Sequence, residues 1–164
     1  MRLSEYTDYT LRVLMCCAAQ TERLLTIGEI AESLQVSKNN LMKIVNDLAR
    51  QGMLETIRGR GGGIRLLQPA DSIRIGDVVR ASETDFRMVE CFDPNTDTCT
   101  LTPGCRLRGV LGRALAAWFA ELDALTLADI AKPLGRGRAG VAAIQRAVIE
   151  LPSSRKRGVV QGQR

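Results

Sequence analysis

Residues 26–68 read TIGEIAESLQVSKNNLMKIVNDLARQGMLETIRGRGGGIRLLQ, and this stretch decides the fold. Thr26 stands three residues before Glu29, the spacing of a capping box at a helix start. Ile27, Ile30, Ala31 and Leu34 then recur at helical spacing. Ser37 caps a second helix whose buried stripe is Leu41, Ile44, Val45 and Leu48, and Gly52 ends it. Two helices joined by a tight turn form a helix-turn-helix, in which the second helix enters the major groove. Ser37, Lys38, Asn39, Asn40 and Lys43 lie at its exposed N-terminal end, where Asn suits adenine and Lys suits guanine or phosphate. The residues that follow turn a common helix pair into something more specific. MLETI and IRLLQ read as two short strands around the turn RGRGGG. Arg58, Arg60 and Arg65 give this hairpin charge for a phosphate backbone or minor groove. A phosphate-binding loop would need a lysine, a following Ser or Thr and then a helix, none of which is present here. The expected fold is mainly α with a small β-hairpin: a winged helix-turn-helix DNA-binding domain plus a long dimerisation helix.

Working outward, residues 4–20 read as a first helix capped by Ser4. Tyr6, Tyr9, Val13 and Cys17 mark one apolar face, and Leu11, Met15 and Ala18 another. Asp8 in its first turn suits the positive helix end. Residues 70–81 read as a short connecting helix packed through Ile73, Ile75, Val78 and Val79. The longest regular pattern is Leu107, Val110, Leu111, Ala114, Leu115, Trp118, Phe119 and Leu122. One small winged helix offers little surface to cover so long an apolar face, whereas a second copy in a two-fold dimer covers it. Thr126 starts a short closing helix before Pro133. The expected division is a DNA-binding domain over 1–81, a cysteine loop and dimerisation helix over 82–131, and a basic, disordered tail over 132–164, with a possible helix at 139–151.

The net charge of +5 comes from that tail, which holds eight Lys or Arg and one acid, Glu150. The basic balance is therefore no argument for nucleic-acid binding, and the placement of charge in the first seventy residues must carry that reading. The N-terminus lacks the apolar stretch of a signal peptide, and no apolar run reaches membrane-spanning length, so the expected location is cytoplasmic. In that reducing compartment five cysteines point to metal binding or redox chemistry rather than disulfides. Three of them, Cys91, Cys99 and Cys105, lie in CFDPNTDTCTLTPGC, spaced C-x7-C-x5-C in a stretch whose Pro, Asp and Asn favour loop over helix or strand. The chain contains no histidine, which removes Ser-His-Asp and Cys-His catalysis, His-ligated zinc and Rieske-type clusters. Thiolates suit an iron–sulfur cluster. A zinc ion held by three thiolates and one aspartate is the inorganic alternative, although the paired cysteines usual in zinc sites are missing. Cys16 and Cys17 read as core thiols rather than ligands.

MRLSEYTDYTLRVLM, SKNNLMKIVNDL, RGRGGGIRL, IRIGDVVR, VECFDP with its cysteine loop, and TLADI together resemble the Rrf family of winged-helix regulators that carry iron–sulfur clusters. The likeness covers residues 1–131 and is to the family's nitric-oxide-sensing repressors. It implies a homodimer on a two-fold symmetric DNA operator. It implies a cluster, 4Fe–4S in preference to 2Fe–2S, on Cys91, Cys99, Cys105 and the partner's first-helix aspartate, here Asp8. Nitrosylation of that cluster would release the operator. Members that use a histidine ligand differ from this chain, and iron-responsive members typically carry Asn where it has Asp8. Iron or redox sensing is the alternative within the family, and an electron-transfer iron–sulfur protein is the alternative outside it. No constellation for enzymatic catalysis is present.

Overall fold

Local signals account for most of the helices. The computed structural model describes residues 2–131, which lie within one compact unit, Met1–Lys132. Its helices are α1 (Glu5–Ala19), α2 (Ile27–Leu34), α3 (Lys38–Arg50), α4 (Ile75–Ser82), α5 (Arg106–Ala124) and α6 (Leu127–Ile130). Strands β1 (Leu54–Ile57) and β2 (Gly63–Leu66) pair antiparallel, with Leu54 opposite Leu66 and Ile57 opposite Gly63. Ser4, Thr26 and Ser37 cap α1, α2 and α3 as expected, each accepting a backbone N–H, and Glu29 completes the box at α2. Gly52, just past α3, sits at φ 72°, a left-handed conformation that glycine adopts without steric cost. The expected tail over 132–164, and the helix within it, lie outside the described residues.

The core is built where the three reader helices meet. Leu41, Ile44, Val45 and Leu48 of α3 are buried to 2% exposure or less, against Val13, Leu14 and Cys17 of α1 and Ile30 and Ala31 of α2. The expected faces of α1 need correction. Thr7 and Thr10 are buried on it, while Tyr6 and Tyr9 are only partly covered. The threonine hydroxyls are satisfied inside the fold: Thr10 Oγ1 donates to the Tyr6 carbonyl at 2.7 Å and Thr7 Oγ1 to the Glu83 carboxylate at 2.9 Å. Hydrogen-bonded hydroxyls can be buried without the desolvation cost of orphaned ones.

The wing hairpin is fastened to the core by Leu25. Leu25 N–H donates to the Ile64 carbonyl at 3.0 Å and Ile64 N–H to the Leu25 carbonyl at 2.7 Å. A glycine is required beside that bridge. A Cβ on Gly63 would lie 2.7 Å from the Leu25 carbonyl oxygen and 2.9 Å from Leu24 Cβ. Gly63→Ala should push the two segments apart and cost about 1–3 kcal/mol through the two backbone hydrogen bonds. A urea or thermal midpoint checks this, and an unchanged midpoint would contradict so close an approach.

The stretch expected as one connecting helix over 70–81 divides into a single 3₁₀ turn, Ala70–Ser72, and α4. Backbone bonds from Leu127 to Ile73 (2.8 Å) and from Ile75 to Leu125 (3.0 Å) pin the far end of α5 beside the start of α4. The Arg80 guanidinium grips the Asp123 carboxylate at 2.7 and 2.6 Å and lies 4.4 Å from the Phe119 ring centroid. Phe86, Trp118 and Phe119 stack edge-on around it. Trp118 and Leu122 pack against the core, so the C-terminal half of α5 is held. Its N-terminal half is not: Leu107 is 61% exposed and Val110 49%.

Candidate functional site

The reader surface is assembled from α3 and the hairpin. Burial of the Leu41–Leu48 stripe turns Lys38, Asn39, Asn40 and Lys43 outward together, all exposed. Ser37 is adjacent, but its hydroxyl accepts the Asn40 N–H at 3.3 Å, so it serves the helix end first. Arg58 and Arg60 are exposed at the wing turn, where Gly59 (φ 97°) and Gly61 (φ 78°) reverse the chain. Among the described residues neither arginine forms a salt bridge, which leaves both cations available to an anionic partner. Arg65 differs from the expectation: its Nε donates to Glu55 across the hairpin at 2.7 Å. Met42, half exposed on the same helix, and Asn46 also belong to this surface, although their residue types carried no signal in the sequence.

The cysteine segment is more ordered than its composition suggests. It opens with a 3₁₀ turn, Glu90–Phe92, that buries Cys91 to 8% exposure, and closes with another, Thr102–Gly104. Arg87 donates to Asp85 at 2.9 Å and reaches across to Asp93 at 2.7 Å, tying the approach to the loop. Hydrogen bonding to Asp85 first, and to Asp93 after it, holds the Arg87 pKa above its ordinary value. The Asn95 N–H, with Arg87 beside it, holds the Asp93 carboxyl below the usual carboxylate range. In the second half, Asp97 Oδ1 accepts from the Cys99 N–H and from Thr102 Oγ1, both at 3.0 Å. Cys99 and Cys105 are half-buried, and Cys105 is the N-cap residue of α5. All five thiols are free. Cys17 is buried, and burial with the neighbouring Cys16 thiol pushes its pKa up to about 12, so it is an inert core group.

Among the described residues, no three His, Cys, Asp or Glu side chains are grouped to hold a metal ion. The donor set nevertheless fits an iron–sulfur cluster in type: three free thiols on one fifteen-residue segment, with no imidazole available. Gathering them requires the loop to close further. Asp8 stands on α1, away from that segment in sequence, and its carboxylate pairs with Arg12 one turn on at 2.7 Å.

Two groups outside the expected set connect these regions. Glu83, at the end of α4, accepts from the Ser4 N–H at 2.8 Å and from Thr7 Oγ1, fastening the first turn of α1. Burial would raise its pKa, but these hydrogen bonds outweigh that and hold it below the ordinary value. Tyr6 Oη donates to Asp47 Oδ2 on α3 at 2.6 Å. The partners lie 79 and 41 positions apart, so no local sequence pattern could have revealed them.

A family model described as "Rrf2: Iron-dependent Transcriptional regulator" matches residues 3–133. The chain is 51% identical over 133 residues to the HTH-type transcriptional regulator NsrR of Bacillus subtilis, covering 80% of this chain and 91% of that protein. Its fold is similar to that of CymR, the global cysteine regulator of B. subtilis, with a TM-score of 0.65 and 26% identity over 80% of this chain and 96% of that one. It also resembles T. potens IscR in fold, with a TM-score of 0.62 and 22% identity over 79% of this chain and 85% of that one.

Proposed function

The chain belongs to the Rrf2 family of transcriptional regulators, and from that premise we propose that it is a homodimeric repressor releasing its operator in response to nitric oxide. It is a DNA-binding repressor and not an enzyme, which displaces the electron-carrier reading. The observation that carries the sensing proposal is the position of Cys105. It is at once a candidate ligand and the first residue of the helix with the open apolar face. Closing the loop on Cys91, Cys99 and Cys105 therefore orders the start of α5, and α5 is joined through Arg80 and Asp123 to the unit that carries α3.

Each part has a distinct task. Lys38, Asn39, Asn40 and Lys43 meet the major groove from α3, with Ser37 holding the helix start, and Arg58 and Arg60 meet the backbone or minor groove from the wing. The exposed half of α5 covers its counterpart on a second copy. Cys91, Cys99 and Cys105 supply thiolates, and Asp8 of the partner subunit completes the set after leaving Arg12. Three thiolates and a carboxylate suit a 4Fe–4S cluster, whose bound iron supplies a target for nitric oxide. The setting is cytoplasmic, where thiols stay reduced.

The family description favours one second reading, in which iron supply rather than nitric oxide sets occupancy. One experiment separates the two. The protein is purified anaerobically, its iron and sulfide are measured, and binding is followed to a duplex that the protein has selected from random sequence. Release by nitric oxide at constant iron supports the proposal. Release by chelator alone supports the iron reading, and absence of iron and sulfide overturns both.

A further inference from the structure

We infer that Tyr6 is a positioning residue for DNA binding, holding the Asp47 carboxylate on the protein so that Lys43 stays free for the phosphate backbone. The inference rests on the reading that α3 enters the major groove.

Asp47 is the one acid on α3, on a face that otherwise carries Lys38, Lys43 and Arg50. A carboxylate there acts against binding in two ways: it repels phosphates, and it can pair with a neighbouring cation. Lys43 lies four positions earlier, the spacing at which opposite charges on a helix meet. The structure shows both oxygens of Asp47 engaged elsewhere. Oδ2 accepts the Tyr6 hydroxyl at 2.6 Å, and Oδ1 is 3.3 Å from the Arg50 guanidinium. The Tyr6 ring in turn lies beneath Lys43, with Nζ 5.7 Å from its centroid, within the range of a cation–π contact. One side chain from α1 thus holds the acid down and seats the base above it. Burial, reinforced by the hydrogen bond to Asp47 and its charge, pushes the Tyr6 pKa up to about 12, so the hydroxyl remains a donor at any physiological pH.

Removing the hydroxyl alone frees Asp47 to pair with Lys43, and a phosphate contact is lost. With full-length, anaerobically purified protein on the selected duplex, Tyr6→Phe should weaken binding about 5–10-fold and reduce the salt slope by about one, the signature of one lost phosphate contact. Asp47→Asn keeps an oxygen for the Tyr6 hydroxyl but removes the charge, and should bind as wild type or more tightly. Introduced into the Tyr6→Phe protein, Asp47→Asn should restore both affinity and slope. Melting temperatures are measured in parallel. A Tyr6→Phe protein that melts earlier but keeps the wild-type slope, or that Asp47→Asn fails to rescue, reduces Tyr6 to packing and overturns the inference. If the wild-type protein binds no duplex in a salt-dependent way, the groove reading itself has failed, which is a separate result.

Discussion

Replacing Cys91, Cys99 and Cys105 together by alanine should leave a folded dimer that retains no iron or sulfide and binds its operator weakly in the presence or absence of nitric oxide. Folding should survive for a structural reason. The main core lies among α1, α2, α3 and α4, and none of the three cysteines belongs to it. The loop also keeps the Arg87–Asp93 and Asp97–Thr102 hydrogen bonds, which do not involve sulfur. What is lost is the constraint that draws the three thiols together at the start of α5. Taking a regulator from mostly bound to mostly free needs a differential on the order of 5 kcal/mol between its two states. Loss of several metal–ligand contacts is of that scale. Iron and sulfide analysis, sedimentation and operator binding measure the three parts separately. A triple variant that binds as tightly as the loaded protein and still responds to nitric oxide would remove the sensing mechanism.

Placing charge on the open face of α5 should have a comparably large effect on assembly. Leu107→Glu with Val110→Glu introduces two carboxylates where the side chains are 61% and 49% exposed in the single chain, so the fold of each protomer should be unaffected. In a two-fold dimer each change counts twice. Each buried aliphatic side chain lost removes about 1.5–3 kcal/mol of apolar burial, so the dimer should weaken by on the order of 10⁴-fold. Sedimentation should show a monomer with an unchanged melting temperature measured well below the dissociation constant. Affinity for a two-fold operator should collapse toward that of one half-site. A variant that sediments as the wild-type dimer would show that some other surface holds the copies together.

Much of the reader was legible in the chain itself because its signals are local. A cap acts over three residues and a helical stripe over four, so Thr26, Glu29, Ser37, Gly52 and the Leu41–Leu48 stripe could be placed without a fold. The apolar run of α5 was equally clear, since one small unit cannot cover it. The exposed Lys38, Asn39, Asn40 and Lys43 followed from the buried stripe by geometry alone, and Arg58 and Arg60 followed from the glycine turn. The cysteine spacing and absent histidine limited the metal chemistry by composition, which needs no coordinates.

The remaining features depend on residues that meet only after the chain has folded. Burial of Thr7 and Thr10 turned on hydroxyl partners one turn away and at Glu83, and hydrophobic patterning counts such threonines as surface. The commitment of Arg65 to Glu55 depended on hairpin register. The clamp between Arg80 and Asp123 joins residues 43 positions apart, and Tyr6 meets Asp47 across 41. Periodicity reports which face of an element is buried, but not which side chain of another element it faces. The sequence by itself therefore determined a winged helix with a charged reader, a thiol-bearing loop and an uncovered helix. Tertiary structure alone decided which charges are free for DNA and which the protein holds for itself, because that choice is made by long-range hydrogen bonds.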